Sequence, residues 1–465
     1  MTIPIRSPYA ALLALVALVA SPLAQAQSGV RQQAEHLRDR ALSDPTAYEF
    51  VADLTSQVGP RLVGTGGYRA SIDWAQARLK ALGFVNVHAE PFTTPGWLRG
   101  DERAVLTAPR AQPLHILGLG GSVATPPAGV EGELAVFGSW SDFIAAPPGS
   151  LAGKIVVLNQ PMVRTQDGSG YGVARFIRGE GPSQAAKRGA IAYLVRSLDT
   201  HESRAPHTGG TQYSSDASKI PAAALSTEDA DLIGRMARQG LPLRLRLTMA
   251  STALPAAQAW NVVGEIPGVE RPDEVVLIGG HLDSWDPGTG AIDDGAGMAI
   301  TVGAAHLIGA SPVRPKRTIR VVLFGAEEFG DAGAAYLAAH KAELPHIVLA
   351  AESDEGGDAA WSLQLPAGAA ARPAFAALPA ILAPLKIDLD PQPIRFSGED
   401  VGPMNAAGVP AIGVRPDASR YFQWHHSADD TLDKIDRDQL NQQVAAWASV
   451  IWLISQAEGD LRNPS

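Results

Sequence analysis

The sequence of 465 residues contains no cysteine and has neither a long basic run nor a long transmembrane-type apolar run. Without cysteine the protein forms no disulfides and has no thiol nucleophile, so any bound metal must be held by histidine, aspartate or glutamate. The formal net charge of −10 and the absence of interleaved aromatic and basic residues argue against nucleic acid as a partner.

The first 26 residues have the features of a secretory signal peptide. Arg6 precedes an apolar stretch at 10–20, and the small residues Ala24 and Ala26 fit cleavage after Ala26. The stretch is short for a membrane span, although an uncleaved anchor is the alternative. We therefore predict an exported protein, periplasmic or secreted, with no membrane span after signal cleavage.

Strand-like and helix-like segments alternate in the second half of the sequence, and the length favours two domains. Apolar strands are predicted at 274–280, 318–325, 346–353 and 409–414, and helices at 28–42, 66–82, 297–310, 333–341 and 370–385. Such continuous apolar strands indicate an α/β fold with a mostly parallel, mixed sheet flanked by helices. The region at about 106–254 differs, because it is rich in Gly, Pro and Ala with short β-like runs, and it resembles an insertion with its own core.

Acidic and histidine side chains follow the end of each predicted strand in the second half. They are His281 and Asp283, then Asp293 and Asp294 in the next loop, Glu327 and Glu328, Asp354, and finally His425 and His426. In open α/β sheets, ligands bind beyond the carboxyl ends of the strands. We therefore expect these side chains to meet at one edge of the sheet.

This set of side chains suits a pair of metal ions. Crowded carboxylates raise one another's pKa, and a bound cation removes that repulsion. Imidazole nitrogen and carboxylate oxygen are ligands for zinc-like ions, and two ions about 3.5–4 Å apart need a bridging carboxylate. Three ligand carboxylates and one hydroxide offset the charge of two divalent ions, so the composition favours a dinuclear site.

Four motifs, HLDSWDPGTGAIDDGAG, FGAEEFG, ESDEGG and FQWHHSADDT, resemble in their order those of the co-catalytic dizinc aminopeptidases (bacterial leucyl aminopeptidase-like). The likeness is greatest to the carboxypeptidase Q (plasma glutamate carboxypeptidase) branch. GSLAGKIVVL, AAKRGAIAYLV and IPAAALSTEDADLI resemble the protease-associated (PA) domain inserted in that branch. The resemblance implies a signal peptide at 1–26, the N-terminal part of the catalytic domain at 27–105, a β-rich PA insert at 106–254 and the catalytic metallopeptidase domain at 255–465.

The resemblance also implies a role for each site residue. The implied metal ligands are His281 and Asp354 for one zinc ion, Glu328 and His426 for the other, and Asp293 as the bridge. Glu327 is the implied general base, and Asp283 is implied to orient the His281 ring. His425 remains the alternative to His426. A cis peptide bond between Asp293 and Asp294 is implied as well.

The function implied by the resemblance is that of an exported dinuclear zinc exopeptidase, and the carboxypeptidase Q branch implies a homodimer. It would hydrolyse N-terminal residues or unblocked dipeptides through a metal-bridged hydroxide, with Glu327 as the base. A glutaminyl-cyclase-like enzyme with one zinc ion and a non-catalytic, receptor-like binding protein are the alternatives. Residues 395–403 contain no tyrosine, although some relatives place an oxyanion-stabilising tyrosine there, so the group with that role stays open.

Overall fold

A computed structural model describes residues 22–459 and 461–462. Residues 1–21 of the predicted signal peptide lie outside the described residues, and the remainder falls in the first helix, Pro22–Ala41. Within the described ranges, no helix is both long and apolar enough to cross a bilayer.

Eleven α-helices and sixteen strands make up the described part of the chain. The helices are α1 (Pro22–Ala41), α2 (Thr46–Gln57), α3 (Gly66–Ala81), α4 (Trp140–Ala145), α5 (Gly170–Lys187), α6 (Thr227–Arg238), α7 (Ala296–Gly309), α8 (Ala332–His340), α9 (Leu378–Leu382), α10 (Gly402–Ala406) and α11 (Arg437–Gln456). The strands are β1 (Val85–Leu98), β2 (Glu102–Ala108), β3 (Gln112–Leu114), β4 (Ile116–Gly118), β5 (Val130–Phe137), β6 (Ile155–Leu158), β7 (Ala192–Arg196), β8 (Ala222–Leu225), β9 (Arg244–Met249), β10 (Thr252–Ile266), β11 (Arg271–His281), β12 (Arg317–Phe324), β13 (Ile347–Glu352), β14 (Ala360–Gln364), β15 (Asp388–Leu389) and β16 (Gly413–Pro416). A single π-type turn, Ala291–Gly295, precedes α7.

A five-stranded sheet in the order β1-β10-β12-β11-β13 forms the centre of the larger unit. All six residues of β13 and the last seven of β11 are buried, so these strands are covered on both faces, as their apolar sequences predict. Parallel pairing is confined to β11 with β12 and β13, whereas β1–β10 and β10–β12 are antiparallel. The sheet is therefore mixed, as predicted, but it is not mostly parallel: two of its four strand pairings are antiparallel, because β10 returns from the second sheet against the direction of β12.

A second sheet, of eight strands, is built from residues 102–249 in the order β3-β2-β9-β5-β6-β7-β8-β4. Separate apolar clusters cover its two faces, one around Leu245 and Leu194 and the other around Phe143 and Tyr193. The chain enters this sheet after β1 and leaves it before β10, and these two long strands pair with each other. We call residues 102–249 the eight-stranded unit.

Two predicted elements in the C-terminal half are wrong. The segment 409–414 is not a strand of the main sheet, because the extended part is β16, which pairs with β14 in a separate three-stranded sheet. The helix predicted at 370–385 is broken by Pro373, Pro379 and Pro384 into short 3-10 turns around the five-residue α9. Helices α2, α6 and α11 were not anticipated from the sequence.

Candidate metal centre

The parallel strands end at one edge of the five-stranded sheet, and their ends carry the predicted site residues. His281 is the last residue of β11 and pairs with Phe324, the last residue of β12. Gly279 of β11 pairs with Glu352, the last residue of β13. This register brings His281, the Glu327–Glu328 pair and Asp354 to the same edge, as the sequence indicated.

Asp293 lies at the middle of the cluster, and its two carboxylate oxygens point to different histidines. Oδ1 is 3.1 Å from Nε2 of His281, and Oδ2 is 3.0 Å from Nε2 of His426. Asp293 is only 4% exposed, and among the described residues these two histidines are the nearest partners of its carboxylate oxygens. The Asp293–Asp294 peptide bond is cis, as the sequence resemblance implied.

Each histidine also meets a second carboxylate. Nε2 of His281 is 3.2 Å from Oδ1 of Asp354, and Nε2 of His426 is 3.0 Å from Oε2 of Glu328. The five predicted ligands are therefore brought together, in two groups that share Asp293. Donor atoms of His281, Asp293 and Glu328 all lie within 4.8 Å of one another.

Asp283 lies beside the His281 ring, but its carboxylate contacts the turn that follows β12. Nδ1 of His281 is 2.9 Å from the main-chain oxygen of Asp283 and 3.7 Å from its Oδ1. The Asp283 carboxylate instead accepts hydrogen bonds from the backbone N–H groups of Glu327, at 3.0 Å, and Glu328, at 3.2 Å. Asp283 thus ties the turn after β12 to the end of β11.

His425 is packed as an aromatic ring behind His426. The two rings stack with centroids 3.5 Å apart, and His425 also makes edge contacts with Tyr171 and Phe422. Its Nε2 is 3.6 Å from Oδ2 of Asp293, farther than that of His426. Burial lowers the pKa of His425 well below its usual value.

The electrostatics of the cluster favour a bound cation. Burial raises the pKa of the Glu328 carboxyl well above its usual value, and the nearby Asp293 carboxylate raises it further. Burial and then the Asp354, Glu328 and Asp293 carboxylates raise the pKa of Glu327 in the same way, against the opposing charge of His281. The crowded carboxylates and the two imidazole nitrogens beside Asp293 are the donor set that divalent zinc-like ions accept.

A buried arginine that the sequence analysis did not single out holds the loop between His281 and Asp293. Arg61 is fully buried, and its guanidinium donates to the main-chain oxygens of Leu282 at 2.6 Å, Thr289 at 2.6 Å, Gly290 at 3.0 Å and Gly59 at 3.1 Å. Only its place in the segment GPRLVGTGG, more than 200 residues before the loop, could have indicated this role.

Known proteins with related sequences share this region. Residues 261–451, which contain every predicted site residue, match the model of peptidase family M28. Carboxypeptidase Q of Bos taurus is 39% identical over 414 residues, covering 89% of this chain and 86% of the relative.

Solved structures give the same result. The crystal structure of a peptidase M28 precursor from Shewanella amazonensis SB2B is 40% identical, with a TM-score of 0.90, and covers 93% of this chain and 98% of that one. A zinc aminopeptidase from Bacillus subtilis shares the fold at 18% identity and a TM-score of 0.63, covering 90% of this chain and 96% of that one. The chain therefore belongs to peptidase family M28 and is a metallo-exopeptidase.

Proposed function

We propose that the protein is an exported dinuclear zinc exopeptidase that releases N-terminal residues or splits unblocked dipeptides. His281 and Asp354 would hold one ion, Glu328 and His426 the other, and Asp293 would bridge them. The observation that carries the proposal is the position of Asp293, whose two oxygens face His281 Nε2 at 3.1 Å and His426 Nε2 at 3.0 Å. A bridging carboxylate is what two adjacent divalent ions require.

The side chains divide the chemistry between them. Two bound zinc ions would lower the pKa of a shared water and polarise the peptide carbonyl. Glu327 takes the proton of the attacking water and passes it to the leaving nitrogen, as a general base and then a general acid. Its position is fixed by the hydrogen bond from its own N–H to Oδ1 of Asp283, at 3.0 Å.

The substrate proposal rests on what the related proteins are called. The relatives at 38–39% identity are carboxypeptidase Q, and the more distant structures with the same fold are aminopeptidases. Rates on a dipeptide, on the same dipeptide amidated at its C-terminus, and on an amino-acid anilide separate the two activities. A dipeptidase needs the free carboxylate and loses activity on the amide, whereas an aminopeptidase cleaves all three.

Three further proposals concern the rest of the protein. The eight-stranded unit is proposed to be the PA insert, supported by the three sequence segments that resemble one and by its separate apolar clusters. Residues 1–26 are proposed to be removed on export, so that Edman sequencing of the mature protein would begin at Gln27. A homodimer is proposed, and light scattering of the purified protein would give a mass of two chains.

Hydrolysis of a dipeptide panel before and after chelation tests the proposed function, together with zinc counted per chain by emission spectroscopy. We expect activity that is lost with the chelator, recovered with Zn²⁺, and accompanied by two ions per chain. One ion with cyclisation of N-terminal glutamine would indicate the cyclase alternative. Peptide binding without turnover would indicate the receptor-like alternative.

A further inference from the structure

A loop of the eight-stranded unit contacts both the backbone and the ring of His426. The backbone N–H of Thr208 donates to the main-chain oxygen of His426 at 3.0 Å, and Nδ1 of His426 is 3.3 Å from the main-chain oxygen of Thr208. Because Nε2 of the same ring faces Asp293 and Glu328, Nδ1 is the nitrogen left to orient it. A hydrogen bond from this second nitrogen fixes the tautomer and the direction of a metal-binding histidine.

The backbone of His426 needs such support. Its φ is +60°, in the left-handed region that is unfavourable for residues other than glycine. The main-chain hydrogen bond from Thr208 restrains the peptide on the C-terminal side of this residue. The loop therefore stabilises both the backbone and the ring of the proposed ligand.

Arg178 of α5 holds the Thr208 carbonyl in place. The side chain is buried, with 3% of the residue exposed, and its Nη1 donates to the main-chain oxygen of Thr208 at 3.2 Å. Nε donates to the main-chain oxygen of Gly210 at 3.3 Å, and Nη2 donates to the Tyr171 hydroxyl at 3.1 Å. The guanidinium fits because Gly209 has φ +136° and no side chain, since a Cβ there would lie 2.1 Å from Nη1.

Arg99 holds the same loop from the opposite side. Nη2 of Arg99 donates to the Thr208 hydroxyl at 3.2 Å, and that hydroxyl donates to the main-chain oxygen of Gly118 at 2.7 Å. The same guanidinium binds Asp286 through two hydrogen bonds of 2.7 and 2.9 Å. Asp286 lies five residues after His281, so the loop is joined to the metal centre at two points.

We propose that the eight-stranded unit helps to form the metal centre by positioning one of its ligands. The Thr208 carbonyl orients His426 through Nδ1, and Arg178 is a positioning residue that fixes this carbonyl. The inference rests on the proposed function, because it takes His426 as a ligand of one of two ions. It follows that loosening the loop would lower the affinity for the ion proposed at Glu328 and His426. The affinity for the ion proposed at His281 and Asp354 would stay the same.

Competition titration of Zn²⁺ against a chromophoric chelator, on the full chain, tests the inference without relying on turnover. For Arg178→Met we expect the affinity for the second zinc to fall about tenfold or more, with the first unchanged, and kcat on a dipeptide to fall in parallel. Arg178→Lys keeps the charge but loses the fork of donors, so we expect it to recover part of the second-site affinity.

Arg188→Met is the matched control. Arg188 directly follows α5 in the same unit and also donates to three main-chain oxygens, those of Ala146 at 2.9 Å, Ile144 at 2.7 Å and Gln184 at 3.0 Å. None of these belongs to the metal centre. We expect Arg188→Met to lower the melting temperature but to leave both zinc affinities as in the wild type.

Thr208→Val gives a second test if the Arg178 variants do not fold. It removes the hydroxyl bonds to Arg99 and Gly118 while keeping the carbonyl, so we expect a smaller, selective loss at the second site. Equal zinc affinities in the wild type and the Arg178 or Thr208 variants would overturn the inference, as would the same loss in Arg188→Met. A wild-type protein that binds no second zinc would instead refute the proposed function, and the inference with it.

Discussion

Glu327 and Glu328 are neighbours in the sequence with different proposed tasks. Oε2 of Glu328 is 3.0 Å from the His426 ring, whereas Glu327 makes no ion pair within 4.0 Å among the described residues. Both backbone N–H groups are held by the Asp283 carboxylate. Of the two side chains, Glu328 is thus the one in contact with a proposed ligand histidine, as its proposed role requires.

We expect Glu327→Gln to abolish dipeptide hydrolysis while leaving two zinc ions bound. The amide keeps the size of the side chain but cannot accept the proton of the attacking water. Steady-state rates and zinc counting on the same sample check this expectation. Glu328→Gln is the control, since it should lose zinc as well as activity; hydrolysis by Glu327→Gln at the wild-type rate would remove Glu327 from the proposed mechanism.

The site residues could be predicted from the sequence because each follows a strand or lies in a motif with a familiar family pattern. His281, Asp293, Glu328, Asp354 and His426 are indeed brought together. The contact of Thr208 with His426 could not be predicted, since the two residues are 218 positions apart and Thr208 contributes only main-chain atoms to it. Main-chain contacts leave no residue-type signal in a sequence.

The loop between β11 and α7 connects His281, at the end of β11, to Asp293. It is held by the buried Arg61, which donates to four main-chain oxygens. We expect Arg61→Met to lower the free energy of unfolding by about 3–5 kcal/mol, because it leaves buried carbonyl groups without donors. Urea denaturation measures the change.

Arg69→Met is the control for Arg61→Met. Arg69 is exposed and lies over the Trp260 ring at 4.3 Å, so we expect a loss of only about 0.5–1 kcal/mol. If Arg61→Met cost no more than Arg69→Met, Arg61 would not be the anchor of the loop.

The edge formed by β1 and α8 is expected to respond to pH. Nε2 of His340 is 2.9 Å from Oε2 of Glu90, and Nδ1 is 3.0 Å from Oε1 of Glu343. The hydrogen bond to Glu90, followed by that to Glu343 and against partial burial, raises the pKa of His340 above its usual value of 6.5. Its contribution to stability is therefore fully present below about pH 6.5, where the unfolded histidine is also protonated. The contribution is lost as the pH rises through the raised pKa of the folded state.

We expect His340→Gln to destabilise the protein by about 1 kcal/mol at pH 6 and by less at pH 9. Urea denaturation of wild type and variant at the two pH values measures this difference. The exposed His346, replaced by Gln, serves as the control and should show no such trend. A cost for His340→Gln that grows with pH would contradict the assignment of a raised pKa.

Elements with a regular apolar pattern could be predicted, and those that depend on distant packing could not. Helices expected at 66–82 and 297–310 match α3 and α7 closely. The helix expected at 370–385 does not form as one element, because its three prolines interrupt it. The order of the five strands could not be predicted from the sequence either, because β10 joins the sheet only after the chain has passed through the eight-stranded unit.

At the scale of the whole molecule, bound metal should contribute to stability. The chain has no disulfide, and its proposed ligands come from segments between His281 and His426 that meet only when the protein is folded. A ligand that binds only the folded state at 100 times its Kd stabilises it by about 2.7 kcal/mol. We therefore expect chelation to lower the melting temperature and Zn²⁺ to restore it.

Differential scanning calorimetry of the zinc-loaded, chelated and reloaded protein checks this expectation. Ca²⁺ is the control, because it takes six to eight oxygen ligands and each proposed ion has a histidine nitrogen among its few ligands, so it should leave the chelated protein unchanged. If chelation did not change the melting temperature, the cluster would hold no ion in the folded protein.

The proposed function requires that Asp293 lie between two metal ions. Its most direct test is an anomalous difference map, recorded at the zinc edge, from crystals of the zinc-loaded protein. We expect two peaks about 3.5–4 Å apart, one beside His281 and Asp354 and the other beside Glu328 and His426, with the Asp293 carboxylate between them. A single peak, or peaks away from Asp293, would contradict the proposal that Asp293 bridges two ions.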